Sequence, residues 1–169
     1  MNDLRAEFIS QSVFRLRENT PRIGKCLDML SDSEVWMRPN EASNSIGNLI
    51  LHLCGNIRQY AVSSLSGVED VRQRDLEFAA RDGLTRAELF AKLSETVDRA
   101  VKTIESLDEA GLLAVRSVQG FNLTGVGIIV HVTEHYSYHT GQIAMRTKEI
   151  RNADLGFYAG INLNVRNKA

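Results

Sequence analysis

The sequence predicts an all-α fold in which four long helices form a bundle. Along four stretches, apolar residues recur at three- and four-residue spacing, which places them on one face of an α-helix. Three of the four histidines also follow one another at four-residue spacing, which places them on one helix face, a turn apart. The 169 residues are enough for a single domain, residues 1–169, with a sizeable core.

The first two predicted helices span residues 3–30 and 45–65. Pro21 lies within the first and should kink or divide it, because proline lacks a backbone donor and clashes with the preceding turn. A loop that contains Trp36, an expected core anchor, joins the two helices. The second helix carries one apolar stripe, which consists of Ile46, Leu49, Ile50, Leu53, Ile57 and Tyr60.

The third predicted helix begins at Thr85, where Thr85 and Glu88 form a capping box, and continues through Leu107. The fourth spans residues 124–150. The connection between helices two and three, residues 66–84, is too long for a tight antiparallel turn and predicts a crossover along the bundle. Residues 161–165 alternate between apolar and polar side chains, so we expect an extended C-terminal tail that packs on the bundle.

The composition excludes several classes of partner and compartment. Twenty basic and 21 acidic residues give a net charge of −1, so no global charge favours binding to nucleic acid or to an anionic membrane. We expect neither a signal peptide at the charged N-terminus nor a membrane span. Two cysteines, Cys26 and Cys54, make a disulfide framework improbable and fit a reducing cytoplasm.

The four histidines lie on two predicted helices and form a candidate metal site. Two imidazoles one helical turn apart can bind the same divalent ion. His135 and His139 flank the centre of the apolar stripe of helix four and should face the interior. His52 lies at the flank of the stripe of helix two and can reach both of them from there. The pattern therefore predicts a three-histidine site between helices two and four.

Three imidazole ligands leave at least one coordination position open, which is typical of catalytic metal sites. Imidazole alone does not select the metal, and we expect zinc or nickel. The simpler alternative is a set of hydrogen-bonded core histidines with no metal. Burying two imidazoles without partners costs free energy, which favours the metal site.

Other polar residues are assigned lesser roles. His131 falls toward one edge of the stripe of helix four, near Gln142, and Asn56 lies one turn beyond His52. Cys54 points away from His52 and should be a packed thiol. For the charged residues of the crossover we expect salt bridging or solvation; they are Arg72, Arg74, Asp75, Glu77, Arg81 and Asp82.

Three segments resemble the DinB-like superfamily. They are His131-Val-Thr-Glu-His135-Tyr-Ser-Tyr-His139-Thr-Gly-Gln-Ile143, Ser45-Ile-Gly-Asn-Leu-Ile-Leu-His52-Leu-Cys-Gly-Asn56 and Arg74-Asp-Leu-Glu-Phe78. The resemblance implies an up-down-down-up bundle with metal ligands His52, His135 and His139. It implies that His131 contacts the ligands or lines the pocket, and we expect the same of Asn56 and Gln142. Thr140 stands where the family commonly has arginine after the last histidine, so a role of that arginine does not carry over.

The resemblance also implies a class of activity. The superfamily is similar in fold to mycothiol-dependent maleylpyruvate isomerases and bacillithiol transferases, in which a metal ion can activate a low-molecular-weight thiol. We therefore expect a divalent-metal-dependent enzyme with a small-molecule substrate, either a thiol-dependent S-transferase or a hydrolase. The alternatives are a non-catalytic metal- or ligand-binding bundle with a stress-related role, and a plain dimerising bundle with core histidines.

We also expect a homodimer. The expectation comes in part from the resemblance, because DinB-like bundles commonly pair. The sequence adds that Tyr136 and Tyr138 point to different faces of helix four, and one small core cannot bury both.

Overall fold

Four long helices form the bundle in a computed structural model that describes residues 3–167. The long helices are α1, α3, α6 and α8, and shorter elements connect them. In chain order the elements are α1 (Leu4–Asp28), α2 (Asp32–Trp36), α3 (Ile46–Ile57), a π-helix (Arg58–Ser63), α4 (Ser64–Ser66), α5 (Arg74–Ala79), α6 (Arg86–Glu105), α7 (Glu109–Leu113), β1 (Val115–Val118), β2 (Phe121–Thr124) and α8 (Gly125–Arg151).

The helix α1 packs on α6 and α8, and α3 packs on the same two helices. Arg5, at the start of α1, donates to the carbonyl of Leu107, just after the end of α6, so these helices are antiparallel. Arg151, at the end of α8, donates to the carbonyl of Met29, just after the end of α1, so α1 and α8 are parallel.

Contacts between α3 and α8 complete the topology. His52 faces His135, whereas Asn56, one turn later on α3, faces His131, one turn earlier on α8. The two helices are therefore antiparallel. Together these directions give the up-down-down-up bundle that the family resemblance implied.

Side-chain caps fix where the long helices begin. Ser45 accepts from the backbone N–H of Asn48 at the start of α3, and Thr124 accepts from that of Gly127 at the start of α8. Thr85 starts α6 with the predicted capping box. Pro21 does not divide α1, which continues through it as one helix.

The crossover begins after α4 in the structure and spans residues 67–84. It contains a short helix that was not predicted from the sequence. This helix, α5, packs on α3. Asn48 donates from its amide to the carbonyls of Glu77 and Ala80, at 2.8 and 2.9 Å. Arg38 donates to the carbonyl of Phe78 at 2.6 Å. Carbonyls at the end of a helix lack donors within the helix, and Asn48 and Arg38 supply the missing donors.

A β-hairpin between α7 and α8 was also absent from the predicted elements. The strands β1 and β2 pair in an antiparallel register in which Val118 faces Phe121. Gln119 and Gly120 form the turn, with φ of 51° and 83°. Positive φ at both central residues is the geometry of a type I′ hairpin turn. The strands have four residues each, which is short for detection by alternation alone.

The predicted packing of the C-terminal tail is wrong. Among residues 3–167, Leu155 is the last buried one, whereas Ile161, Leu163 and Val165 are 60%, 65% and 73% exposed. The four long helices already enclose the core, and the tail forms no strand along which these side chains could be buried.

Along residues 3–167, no helix combines the length and the apolar character that crossing a bilayer requires.

Both thiols should be unreactive in the folded protein. Cys26 and Cys54 are 0% and 4% exposed. Burial raises the pKa of both thiols, that of Cys54 to about 12, and the thiolate is the reactive form. With a disulfide-exchange reagent, we expect no rapid reaction in buffer and reaction of both cysteines in denaturant. A thiol that reacts rapidly in buffer would contradict the packing described for these residues.

Candidate metal centre

The three predicted ligands lie together between α3 and α8. The Nε2 atom of His135 is 3.1 Å from Nε2 of His52 and 3.1 Å from Nε2 of His139. The ligand atoms of the three side chains all lie within 4.8 Å of one another. The structure thus confirms that His52 reaches the pair on α8, and the three residues form a group that could hold a metal ion.

Hydrogen bonds among the three rings cannot account for this arrangement. Each neutral imidazole carries one hydrogen, and Nε2 of His135 has either that hydrogen or one lone pair. In either state it forms one good hydrogen bond, with His52 or with His139. The other contact at 3.1 Å is then left without a hydrogen bond. A cation that accepts a lone pair from each ring satisfies all three nitrogens.

The two separations from His135 fit a divalent ion as well. Zinc–nitrogen bonds of about 2.0–2.1 Å place two ligand nitrogens about 3.3 Å apart in a tetrahedral site and about 3.0 Å apart in an octahedral one. The separations of 3.1 Å from His135 to each partner lie between these values. The donor set, three imidazoles, suits several transition metals.

The histidines of α8 are held in the neutral form that ligates metals. Burial lowers the pKa of His135 to about 3, and the neighbouring histidines and Arg72 act in the same direction. Burial also lowers the pKa of His139, although a hydrogen bond with Gln142 offsets part of the effect. Both rings are therefore neutral near pH 7.

On the far side of His52, the crossover supplies an ion pair. Oε2 of Glu77 lies 3.1 Å from Nδ1 of His52. Arg72 binds the same carboxylate with two nitrogens, each at 2.8 Å, and Nη1 of Arg72 donates to Gln59, also at 2.8 Å. Burial alone would raise the pKa of Glu77, but hydrogen bonds and charge from Arg72 and His52 outweigh it and lower the pKa. Glu77 is thus a carboxylate.

A predicted neighbour orients His139. Gln142 lies one turn later on α8, and its Oε1 accepts from Nδ1 of His139 at 2.7 Å. Its amide nitrogen donates to the hydroxyl of Tyr138 at 3.1 Å. With Nδ1 protonated, the Nε2 lone pair of His139 faces the other two histidines.

His131 lies beside the cluster and outside it. Its ring stacks on Tyr60 at 4.1 Å and lies 5.4 Å from the ring of His135. Nδ2 of Asn56 lies 3.2 Å from Nε2 of His131, within hydrogen-bond distance of this fourth histidine. The Nδ1 atom of His135 is buried without a hydrogen-bond partner among the described residues.

Aromatic rings surround the cluster. The ring of Phe78 lies 4.8 Å from that of His52, and the ring of Tyr138 lies 5.0 Å from that of His139. With His131 next to His135, each histidine of the cluster has a ring against one side.

Sequence reasoning missed the burial of Glu77 and Arg72 beside His52. The expectation for both was salt bridging or solvation, and the salt bridge is confirmed, but the side chains of Glu77 and Arg72 are only 10% and 4% exposed. The interleaved charges of the crossover carry no helical stripe that would mark two of them as buried. Trp36 does anchor the core as expected, with its ring against Gly47 and its N–H donating to Leu84.

Known structures share this fold. The DinB-like protein YjoA from Bacillus subtilis is 19% identical with a TM-score of 0.67, and the match covers 88% of this chain and 96% of that one. A conserved protein from Enterococcus faecalis is 16% identical with a TM-score of 0.72, covering 85% and 97%. A DinB-like protein from Bacillus cereus ATCC 10987 is 12% identical with a TM-score of 0.66, covering 85% and 90%. At these identities the likeness shows the fold alone.

The sequence comparisons agree with the fold. No curated protein matches the chain significantly. Residues 3–159 match the family described as "Protein of unknown function (DUF1572)". That match spans nearly the whole chain and contains all four histidines. The chain therefore belongs to the DUF1572 family, whose fold is DinB-like.

Proposed function

We propose that the protein binds a divalent metal ion through His52, His135 and His139 and uses it in enzymatic catalysis. One observation carries the proposal: three Nε2 atoms converge at distances that hydrogen bonds among the rings cannot satisfy. Zinc and nickel are the metals we favour, because imidazole suits both and neither needs a carboxylate ligand.

The number of ligands supports a catalytic role. Within residues 3–167, the cluster contains three side chains of the metal-binding types. Structural zinc sites are closed by four protein ligands, whereas catalytic sites keep a position for water or substrate. The open position favours an enzyme over a bundle that holds metal for stability alone.

For the reaction we propose thiol-dependent S-transfer or hydrolysis of a small molecule. The support is the DinB-like fold, which resembles that of thiol-dependent transferases. The chemistry that such an ion supplies is Lewis acidity, including deprotonation of a coordinated thiol. The chain's own residues bind and orient: Gln142 holds His139, and the rings of Phe78, Tyr138 and His131 pack beside the three ligands. We also propose that His131 and Asn56 line the substrate pocket.

The cellular setting is part of the proposal. Two free, buried thiols fit a reducing cytoplasm, and nothing in the net charge favours a nucleic-acid partner.

We also propose a homodimer. Tyr136 is buried whereas Tyr138 is 60% exposed, and Tyr138 and Val130 border a groove between α1 and α8. An isologous pair would cover this groove in both subunits.

Replacing His135 with alanine should remove most of the bound metal, because His135 is the nitrogen that both other ligands face. The His131→Ala variant is the matched control: it removes the same side chain one turn away, outside the cluster. Elemental analysis of protein purified without a histidine tag should show metal in wild type, most of it in His131→Ala and little in His135→Ala. Equal metal content in wild type and His135→Ala would refute the ligand assignment.

Metal-loaded protein should consume a low-molecular-weight thiol in the presence of an electrophilic substrate, and the His139→Ala variant should not. A panel of biological thiols, followed by loss of free thiol, measures this. If wild type binds one ion per chain and yet shows no turnover with any thiol or in hydrolase assays, a non-catalytic metal-binding role replaces the enzymatic one.

Light scattering should give twice the monomer mass of 18.9 kDa at tens of micromolar protein. A stable pair should bury about 1,200 Å² or more of total surface. Val130→Asp, which places a charge in the groove, should yield monomers, whereas Val165→Asp, on the exposed tail, should leave the dimer intact. A monomer mass for wild type would exclude the dimer and leave the metal site unaffected.

A further inference from the structure

We propose that the crossover, residues 67–84, orients His52 for metal binding through Glu77. This inference rests on the proposed metal site. It assigns to Glu77 and Arg72 the role of positioning residues, which act through His52 and do not touch the ion. The inference also means that packing of the crossover on α3 and binding of the metal depend on each other.

The first step is the tautomer of His52. A carboxylate accepts and cannot donate, so Glu77 at 3.1 Å favours the form of His52 with hydrogen on Nδ1. The Nε2 lone pair then points at His135, where the ion would lie. Ligating histidines in metalloproteins commonly donate their other ring N–H to a carboxylate, which orients the ring and raises its basicity. Gln142 performs the equivalent task for His139.

The second step is how Glu77 is held. Its carboxylate is bound at both oxygens by Arg72, in a pair whose side chains are at most 10% exposed. Nη2 of Arg72 also lies 3.1 Å from Nδ1 of His52 and can only donate, which by itself would favour hydrogen on Nε2. Nη2 already donates to Oε2 of Glu77 at the shorter distance of 2.8 Å, so we assign the hydrogen bond of Nδ1 to the carboxylate. Losing one partner of such a buried pair leaves an uncompensated buried charge, so each residue depends on the other to remain in this position.

The third step is the glycine that admits the pair. A Cβ added to Gly55 of α3 would overlap Oε1 of Glu77 and lie 2.7 Å from its Cδ and 2.9 Å from Nε of Arg72. Real Cβ atoms essentially never approach other atoms so closely. Glu77 can therefore reach His52 in this geometry only because position 55 has no side chain.

The fourth step is the backbone of the crossover. Asn48 binds the carbonyls of Glu77 and Ala80, and Arg38 binds that of Phe78, so three carbonyls at the end of α5 are fixed from outside the crossover. Asn48 is fully buried and also belongs to the capping box of α3. Glu77 is thus presented to His52 by a docked segment, and undocking would remove the carboxylate from the site.

Reciprocity follows from thermodynamic linkage. If the docked crossover strengthens metal binding by some factor, metal binding favours the docked crossover by the same factor. Loss of an outer-shell partner typically weakens metal affinity about 10–100-fold. The crossover should therefore be measurably better protected from solvent when metal is bound.

The test uses two variants with matched controls. Glu77→Gln removes the charge, and Gly55→Ala displaces the carboxylate while keeping Glu77 itself. Asp75→Asn makes the same charge change at an exposed position of the crossover. Gly141→Ala makes the same glycine change on α8, where an added Cβ meets nothing within 4 Å. Circular dichroism establishes that each variant is folded.

Two readouts separate positioning from mere stability. Zinc affinity, measured by competition with a chelating dye, should fall about 10–100-fold in Glu77→Gln and Gly55→Ala and stay unchanged in both controls. In metal-free protein, ¹⁵N NMR of the imidazoles should show hydrogen on Nδ1 of His52 in wild type and a shift of that population toward Nε2 in the two variants. In wild type, zinc should also slow amide hydrogen exchange in residues 72–78.

The outcomes distinguish this inference from the proposed function. Wild type that binds no zinc, nickel or other divalent ion would overturn the metal site, and this inference with it. Wild type that binds zinc, with affinity and tautomer unchanged in folded Glu77→Gln and Gly55→Ala, would overturn the positioning role alone. Weaker binding with an unchanged His52 tautomer would also overturn it, because the ion pair would then be purely structural.

Discussion

The antiparallel contact between α3 and α8 is the constraint on which the site depends. It brings one histidine from α3 against two from α8, so that three Nε2 atoms meet at a point that no set of ring hydrogens can satisfy. Burial keeps the α8 imidazoles neutral, and neutral imidazole is the ligating form. The same packing that forms the core thus brings the two neutral imidazoles of α8 against the ring of His52.

The crossover adds a second layer to this arrangement. A buried ion pair is poor evidence for stability, because desolvation cancels much of its attraction. Arg72 and Glu77 are buried nevertheless, against a glycine that leaves room for them and beside the ring that they orient. The burial of this ion pair is explained better by the orientation of His52 than by the stability of the fold. The bundle core could close over α3 with apolar residues at these positions.

The sequence predicted what depends on local periodicity. The four long helices, the cap at Thr85 and the inward direction of His135 and His139 all follow from spacing along one helix. Glu77 could not be found this way, because its burial depends on where an irregular segment docks after the helices have packed. The hairpin turn at Gln119 and Gly120 was missed because its strands are short. The packing of the tail was predicted wrongly because an alternating pattern does not by itself provide a strand to pair with.

The central claim is that His52, His135 and His139 share one ion. Crystals of zinc- or nickel-loaded protein, measured above and below the absorption edge of that metal, test it most directly through the anomalous difference map. We predict one peak per chain in that map, about 2.0–2.2 Å from the three Nε2 atoms, with no fourth protein ligand. No peak at this position, or a peak coordinated by other residues, would contradict it.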